Sequence, residues 1–159
     1  RKGNAQGKML QEAATVKKAT HANVVRLFGF IVATTSQRPV PHCYICMERM
    51  HANLDEAKQV VHDQAKQTAT RIESFLGCVT VSVIDALVYL RDHARIMHRD
   101  LKPNNIMINE KGEVKLCDFG ESKMLTGLTN TRAGTAGRGC VFYMAPERFD
   151  PNRFAQKGK

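Results

Sequence analysis

Three short polar segments in the second half of the chain carry side chains that could do chemistry together. They are His98-Arg99-Asp100-Leu101-Lys102-Pro103-Asn104-Asn105, Asp118-Phe119-Gly120 and Ala145-Pro146-Glu147. An amide oxygen and a carboxylate are hard oxygen ligands, which suit Mg²⁺ that carries phosphate oxygens. Asn105 and Asp118 therefore form a candidate metal site for a phosphate compound, provided that the fold brings them together.

The residues between Asn105 and Asp118 have the pattern of a β-hairpin. Two short apolar runs, 106–108 and 114–116, flank the turn sequence Asn-Glu-Lys-Gly. A hairpin sets the start of its first strand beside the end of its second strand, so we expect the amide and the carboxylate to converge. The carboxylate of Asp100, five residues before the hairpin, can reach the same space from the preceding loop.

The rest of the chain must supply the elements that hold these loops. The pattern predicts a helix over residues 5–19, a buried strand over Val24–Val32, a loop over Thr34–Pro41, a strand over His42–Met47, a short helix near Asn53–Val61 and a long amphipathic helix from Arg71 to Leu90. The two strands around the loop are expected to pair antiparallel. Helix, two strands, mostly helix and then a strand pair is an α+β order, with no internal linker that would divide it.

The five cysteines are scattered and odd in number, which favours a reducing compartment, and so a cytoplasmic location, over a disulfide framework. Cys43-Tyr-Ile-Cys46 has C-x-x-C spacing. Its apolar flanks favour a buried strand over a zinc site, because no second cysteine pair follows at zinc-ribbon spacing.

Composition and charge exclude several classes of protein. Hydrophobic residues make up 43% and charged residues 25%, as in an ordinary globular chain. The net charge of +9 is concentrated at the two ends of the chain, and only ten residues are aromatic, so we expect no nucleic-acid partner. No apolar run approaches the roughly 18 residues of a membrane span. The chain begins Arg-Lys-Gly-Asn, from which we expect no secretory signal and a piece of something longer.

In their order and spacing, H-R-D-L-K-P-x-N, D-F-G and A-P-E resemble the catalytic half of a eukaryotic protein kinase domain. Roughly eleven fixed positions of this kind do not fall together by chance, whereas D-F-G alone recurs in unrelated loops. The resemblance implies an incomplete protein-kinase-like fold of the α+β class, with helix C and some N-lobe strands before a mainly helical partial C-lobe. It also implies ATP and Mg²⁺ as cofactors and a protein as the phosphate acceptor.

The resemblance assigns roles to the residues of the first two motifs. Asp100 resembles the catalytic aspartate that accepts or orients the proton of the substrate hydroxyl. Asn105 and Asp118 resemble the Mg²⁺ ligands. Lys102 resembles the lysine that steadies the transferring phosphoryl group in Ser/Thr-type catalytic loops. Catalysis would then rest on positioning and electrostatics.

Further positions resemble the ATP-binding residues of the family. Met47 matches the gatekeeper, and backbone groups of Glu48 and Met50 match the hinge that meets adenine; a plain strand end is the alternative interpretation. Met107 is assigned with them to the ATP site. Glu12 resembles the helix-C glutamate that pairs with an ATP-binding lysine, and a solvated helical glutamate is its alternative.

Five further residues receive structural predictions. Val16, Leu27, His98 and Phe119 match the stacked apolar spine of the family, and we expect His98 to be a packed core histidine without a catalytic role. Cys117, beside Asp118, is expected to be a buried strand residue and is also a candidate reactive thiol.

Three stretches narrow the resemblance to MAP kinase kinases of the stress-activated branch. They are Tyr44-Ile-Cys-Met-Glu48, Glu113-Val-Lys-Leu-Cys-Asp-Phe-Gly120 and Tyr143-Met-Ala-Pro-Glu-Arg-Phe-Asp-Pro151. This implies a dual-specificity kinase that acts on a MAP kinase and is itself activated by an upstream kinase. Another Ser/Thr kinase of the superfamily, or a pseudokinase scaffold that binds partners without phosphotransfer, are the alternatives.

The same branch implies phosphorylation of the activation segment. Thr131 matches a phosphorylated threonine, whose phosphate would pair with Arg99 and Lys123. The first acceptor of the family pair falls on a glycine here, so Thr126 or Thr129 would replace it. An extra glycine-rich stretch between D-F-G and A-P-E also departs from the family pattern.

The resemblance divides residues 1–159, a partial kinase domain, into a partial N-lobe at 1–47, a hinge at 48–50 and a partial C-lobe at 51–159. The glycine-rich loop and the ATP-binding lysine have no counterpart within these residues. We therefore expect these 159 residues alone to transfer no phosphate.

Overall fold

The computed structural model describes residue 17 and residues 19–35, 38–58, 69–119, 122–124 and 140–146. The regular elements are β1 (Leu27–Thr35), β2 (Arg38–Met47), β3 (Ala52–Asn53), α1 (Ala69–Asp92), β4 (Ile96–Met97), β5 (Ile106–Ile108), β6 (Val114–Leu116) and β7 (Lys123–Met124). Short 3₁₀ turns lie at Pro103–Asn105 and Val141–Tyr143, and residues 54–58 are helical. This mixture of a long helix and short antiparallel strands confirms the predicted α+β class.

Strands β1 and β2 form the predicted antiparallel pair, with Leu27 opposite Met47 and Thr35 opposite Arg38. The prediction of a loop from Thr34 to Pro41 is wrong, because strand pairing continues almost to the tip of the hairpin. Both prolines of this segment lie in β2. A proline has no N–H to donate. An edge strand tolerates this at positions whose N–H would point away from the partner strand.

The predicted buried strand over Val24–Val32 divides into two parts. Val24 and Val25 are buried, but they contact β6: Val24 forms a parallel bridge with Leu116, and the Val25 N–H donates to the Leu116 carbonyl at 2.9 Å. The regular strand begins only at Leu27, and Ile31 is 68% exposed. Burial is therefore predicted wrongly for most of β1.

Burial is also predicted wrongly for β2. The strand itself exists, but Tyr44, Ile45, Cys46 and Met47 are all exposed. Within the described residues, β1 and β2 pair only with each other, so they form a separate two-stranded sheet.

Helix α1 is the long amphipathic helix that the sequence predicts. Val79, Val83, Ala86 and Leu90 are buried and recur every three or four residues, so they lie on one helical face. That face packs with residues of β4, β5 and β6 in a single core, whose buried members are Ala19, Val24, Val79, Val83, Ala86, Leu90, Ile96, Ile106, Val114 and Leu116. Burial of this face outweighs the low helix propensity of its β-branched residues.

By length and composition alone, the part of α1 from Thr70 to Asp92 could also cross a membrane, and 17% of its most apolar window is buried within the described residues. Ala86 and Leu90 are fully enclosed in the core, whereas Val81, Ile84 and Val88 are exposed.

The hairpin β5–β6 is confirmed, with Ile106 opposite Leu116 and Ile108 opposite Val114. Its turn is closed by the Asn109 side chain, whose Oδ1 accepts hydrogen bonds from the backbone N–H groups of residues 111 and 113. Gly112 has a φ of 79°, a left-handed conformation that glycine adopts without strain. The two-residue strands β3 and β7, which the sequence did not predict, pair with β5 and β4.

Candidate active site

The site is built where the loop after β4 meets the open end of the β5–β6 hairpin. His98 joins the two. Its side chain is buried, its Nε2 lies 2.9 Å from the Cys117 carbonyl, and its Nδ1 accepts the Asp100 N–H at 3.3 Å. A carbonyl can only accept and an N–H can only donate, so the ring is neutral with its proton on Nε2. Burial is the main reason that the pKa of His98 is lowered.

The carboxylate of Asp100 is buried and receives three hydrogen bonds. Oδ2 accepts from Lys102 Nζ at 2.7 Å and from Asn105 Nδ2 at 3.0 Å. Oδ1 accepts from the backbone N–H of Cys140 at 3.0 Å. Burial on its own raises the pKa of Asp100, but the three donors outweigh burial and lower it, so the group is ionised at neutral pH.

Asn105 is buried at the end of the 3₁₀ turn, where its side chain orients the loop. Its amide group donates to the Asp100 backbone carbonyl at 2.8 Å as well as to the Asp100 carboxylate. Both bonds use the NH₂ group, which leaves the Oδ1 oxygen as the atom that could bind a cation.

Asp118 follows the second strand of the hairpin, as predicted. The N–H of Cys117 donates to the Asn105 carbonyl at 2.9 Å, which sets residue 118 one position away from this link. Asp118 has a φ of 59°, a left-handed conformation that is uncommon outside glycine. The negative charge of Asp118 also affects Lys102. The pKa of Lys102 is raised first by the hydrogen bond to Asp100 and then by the charges of Asp100 and Asp118.

These residues fit the magnesium site that the sequence implies. An amide oxygen from Asn105 and an exposed carboxylate from Asp118 are hard donors, and phosphate oxygens and water can complete the shell around Mg²⁺. Among the described residues, no three His, Cys, Asp or Glu side chains are grouped to hold a metal by themselves.

A second group of predicted residues lies at the end of β2. Met47 pairs with Leu27, and the N–H of Glu48 donates to the Arg26 carbonyl at 2.8 Å. Since that N–H already donates to Arg26, the backbone contact predicted between Glu48 and adenine would have to use the Glu48 carbonyl. Met50 follows, half-buried, before β3.

The hinge segment connects to the hairpin through side chains. Met107 lies half-buried in β5, opposite Lys115 of β6. Lys115 Nζ in turn lies 2.5 Å from Glu48 Oε1. The predicted ATP-binding residues that are described therefore lie in two segments, 47–50 and strand β5. The ion pair between Glu48 and Lys115 connects the first segment to the hairpin that contains the second.

Residues 1–158 match the family described as "Protein kinase domain". The chain belongs to the protein kinase family. Similar curated kinases are the dual specificity mitogen-activated protein kinase kinase hemipterous of Drosophila melanogaster (43% identical over 71% of this chain and 9% of that protein), dual specificity mitogen-activated protein kinase kinase 7 of Homo sapiens (37%, over 80% and 27%) and mek-1 of Caenorhabditis elegans (40%, over 82% and 33%).

This kinase chain spans between 9% and 33% of the length of these curated relatives. The match confirms the predicted family and its kinase-like α+β fold, and it agrees with the MAP kinase kinase branch suggested by the motifs around the D-F-G and A-P-E sequences. Protein kinases generally use ATP and Mg²⁺.

Several predicted site residues of the kinase lie outside the described residues. They are Glu12, Thr126, Thr129 and Thr131, along with Val16, Gly120, Glu147 and nearly all of the helix predicted over 5–19. Lys123 is described only as a backbone position in β7. Arg99, half-buried with a φ of 69°, lies between His98 and Asp100.

Three of the four residues predicted to form the apolar spine, Leu27, His98 and Phe119, lie among the described residues. His98 and Phe119 stack edge to face with ring centroids 5.2 Å apart, and Leu27 and Phe119 both pack against the core. His98 is the buried core histidine that the sequence predicts. Cys117 does not fit the alternative of a reactive thiol: burial, and then the charge of Asp118, raise its pKa to about 11.

The sequence did not predict two parts of the kinase site. One is the N–H of Cys140, since a backbone donor carries no signature in residue types. The other is the pairing of Lys115 with Glu48, for which the opposite charges at the hinge and in the hairpin were the available signal.

Proposed function

We propose that the protein carrying this chain is a dual-specificity MAP kinase kinase, which transfers the γ-phosphoryl group of ATP to hydroxyl groups of a MAP kinase. The observation that carries the proposal is the ionised Asp100 carboxylate, held by Lys102 and Asn105 beside the D-F-G strand end. The sequence similarity to three dual-specificity kinases supports the branch.

In this proposal, Asp100 accepts the proton of the substrate hydroxyl. The hydroxyl oxygen forms a bond to the γ-phosphorus as the bond from phosphorus to the β,γ-bridging oxygen breaks, and ADP leaves with that electron pair. Lys102 holds a positive charge beside the carboxylate, where it would offset the negative charge of the phosphoryl group. His98 keeps the loop in place without exchanging a proton.

Asn105 and Asp118 would hold Mg²⁺, which neutralises phosphate charge when it is bound. Around the adenine, the carbonyl of Glu48 would accept from the exocyclic amine, and backbone groups of Met50 would complete the contact. Met47 and Met107 would contribute to the pocket around this ring, and Glu12 would pair with a lysine outside this chain.

Regulation and location follow from the same family. A MAP kinase would be the substrate, an upstream kinase would phosphorylate Thr131, together with Thr126 or Thr129, and the phosphate on Thr131 would pair with Arg99 and Lys123. A cytoplasmic location suits such a signalling role. Full activity of a Thr131→Ala variant of the full-length protein would contradict this regulation.

The deciding experiment uses the full-length protein with recombinant MAP kinases and measures phosphate transfer by mass spectrometry. Asp100→Ala should lower kcat by about 10²–10⁴-fold, as expected for removal of an acid–base group. Asp92→Ala is the matched control, because Asp92 is exposed and pairs only locally with Arg91.

Other outcomes identify the alternatives. Transfer to other proteins but to no MAP kinase would indicate another Ser/Thr kinase. Binding of MAP kinase without transfer by the wild-type protein would indicate a pseudokinase scaffold. Residues 1–159 alone should transfer no phosphate in the same assay.

A further inference from the structure

The hydrogen bonds to Asp100 distinguish its two carboxylate oxygens. Oδ2 already accepts two hydrogen bonds, from Lys102 Nζ at 2.7 Å and from Asn105 Nδ2 at 3.0 Å. Within the described part of the chain, Oδ1 accepts one, from the N–H of Cys140 at 3.0 Å. A carboxylate oxygen has about two lone-pair sites, so Oδ1 is the oxygen with a site left for a further donor.

The backbone of Cys140 is held by hydrogen bonds at its N–H and at its carbonyl. The carbonyl of Cys140 accepts the Tyr143 N–H at 3.0 Å, which starts the 3₁₀ turn Val141–Tyr143. The Met144 N–H then donates to the Val141 carbonyl at 3.2 Å. Cys140 is therefore fixed through both its N–H and its carbonyl, 40 residues along the chain from the aspartate that it contacts.

A cavity of about 130 Å³ opens next to this contact. Its walls include Asp100 and Leu101 on one side and Cys140, Tyr143 and Met144 on the other. A hydroxyl-bearing side chain that enters between these two segments approaches the carboxylate from the side of Cys140.

We propose that the backbone N–H of Cys140 is a positioning group for phosphotransfer, which turns the Asp100 carboxylate so that Oδ1 accepts the substrate hydroxyl from this cavity. The proposal rests on the proposed kinase function and names an atom and a contact within it. The Cys140 thiol has no part in it, since the side chain makes none of these hydrogen bonds. Segment 140–146 would thus act on the reaction through the backbone.

The test must delete the N–H and leave the rest of residue 140 in place. An amide-to-ester replacement at residue 140, made by protein ligation, meets this condition. In Cys140→Pro the ring Cδ would take the place of the amide hydrogen and overlap Asp100 Oδ1, which lies 3.0 Å from the nitrogen. The matched control is the unmodified protein made by the same ligation, and Cys140→Ala, which removes the thiol and keeps the N–H, tests the thiol separately.

The experiment measures kcat and the KM for ATP of the full-length protein with a MAP kinase substrate. We expect kcat of the ester variant to be about 10–100-fold below that of the ligated amide control, the effect of losing one hydrogen bond to a charged group, with the same KM for ATP. Values of kcat within about twofold of each other would overturn the proposal. A rise in the KM for ATP at constant kcat would also overturn it, since that indicates a general change in the nucleotide site.

Two further measurements keep the result interpretable. The thermal unfolding temperatures of the ester variant and of the ligated amide control should agree within a few degrees, which separates a local effect on Asp100 from a loss of folding. Hydrogen exchange of the Cys140 amide should become at least about tenfold faster in Asp100→Ala, and an unchanged rate means that the hydrogen bond does not exist.

The outcomes also separate this inference from the proposed function. A wild-type protein that transfers no phosphate overturns both. An active protein whose ester variant and amide control agree overturns only the role of Cys140.

Discussion

Glu48 of the hinge and Lys115 of strand β6 form an ion pair, with 2.5 Å between Oε1 and Nζ. The other oxygen of Glu48 accepts the Arg26 N–H at 3.1 Å, and the Glu48 N–H donates to the Arg26 carbonyl. The hinge residue is therefore held by two other segments of the chain. Its carbonyl is the backbone group that the proposed adenine contact would use, and we expect the ion pair to help to hold it in place.

Lys115→Met should destabilise the full-length protein and weaken ATP binding. The two side chains are only 13% and 25% exposed, so loss of the cation leaves a partly buried carboxylate without its partner. We expect the free energy of unfolding to fall by about 1–3 kcal/mol and the KM for ATP to rise. Denaturant unfolding and steady-state kinetics measure the two effects.

Lys111→Met is the matched control, because Lys111 lies exposed in the turn of the same hairpin. The acid side of the stability curve gives a second comparison. Burial raises the pKa of Glu48, but the hydrogen bonds from Lys115 and from the Arg26 N–H outweigh it and lower the pKa below 4.5. The stabilisation from this pair is therefore complete above pH 4.5 and is lost as the pH falls through the folded-state pKa. An equal acid loss in wild type and Lys115→Met would contradict this account.

Asn105→Ala should lower activity and raise the Mg²⁺ concentration needed for half-maximal rate. The variant loses the amide that holds Asp100 and the oxygen proposed to bind the metal. We expect a decrease of about 10–100-fold in kcat/KM. The neighbouring Asn104 is exposed and contacts only Asp55, at 3.5 Å, so Asn104→Ala is the control that should keep the wild-type Mg²⁺ dependence. Equal Mg²⁺ dependence in all three proteins would argue against a ligand role for Asn105.

The sequence predicted the parts of this fold that are determined locally. The turn Asn109–Gly112 and its flanking apolar runs specify the hairpin, and that hairpin alone brings residue 118 next to Asn105. The period of α1 likewise predicts a helix with one buried face. These features depend on residues close together in the chain.

The sequence failed where distant segments decide the structure. Val24 and Val25 have the residue types of a buried strand, but they contact β6 because the Asn23 side chain donates to the Val114 carbonyl at 2.9 Å and fixes that loop. Pro39 and Pro41 suggested a loop, and only the pairing of β2 with β1 reveals that they fit a strand. The Cys140 N–H donates to Asp100, which lies 40 residues away in the sequence, and residue types do not predict a backbone hydrogen bond of this kind.

Replacement of His98 should change how stability depends on pH. The pKa of His98 is lowered, chiefly by burial, from its ordinary value of 6.5, so the unfolded chain binds this proton more readily than the folded chain. The free energy of unfolding should therefore fall as the pH drops below 6.5 towards the folded-state pKa. His98→Asn lacks this titration and should lose that part of the slope. It should also be destabilised by about 1–3 kcal/mol at a pH of about 8, because it cannot keep both hydrogen bonds.

Urea unfolding at several pH values measures this slope. His51→Asn is the control, since His51 is exposed and its one ion pair, to Glu110, is 3.7 Å long. The same slope below pH 6.5 in wild type and His98→Asn would show that His98 titrates normally and would contradict a neutral, buried ring.

Cys117 should resist alkylation, although it lies beside Asp118. Burial, and then the charge of Asp118, raise its pKa from 9.0 to about 11, so the thiolate fraction at neutral pH is about a hundredfold lower than for an unperturbed thiol. Cys46 is exposed and serves as the internal reference. Iodoacetamide labelling followed by peptide mass spectrometry should therefore modify Cys46 first, with Cys117 reacting only after denaturation. Equal labelling rates of Cys46 and Cys117 in the folded protein would mean that the thiol of Cys117 is open to solvent, which would contradict this prediction.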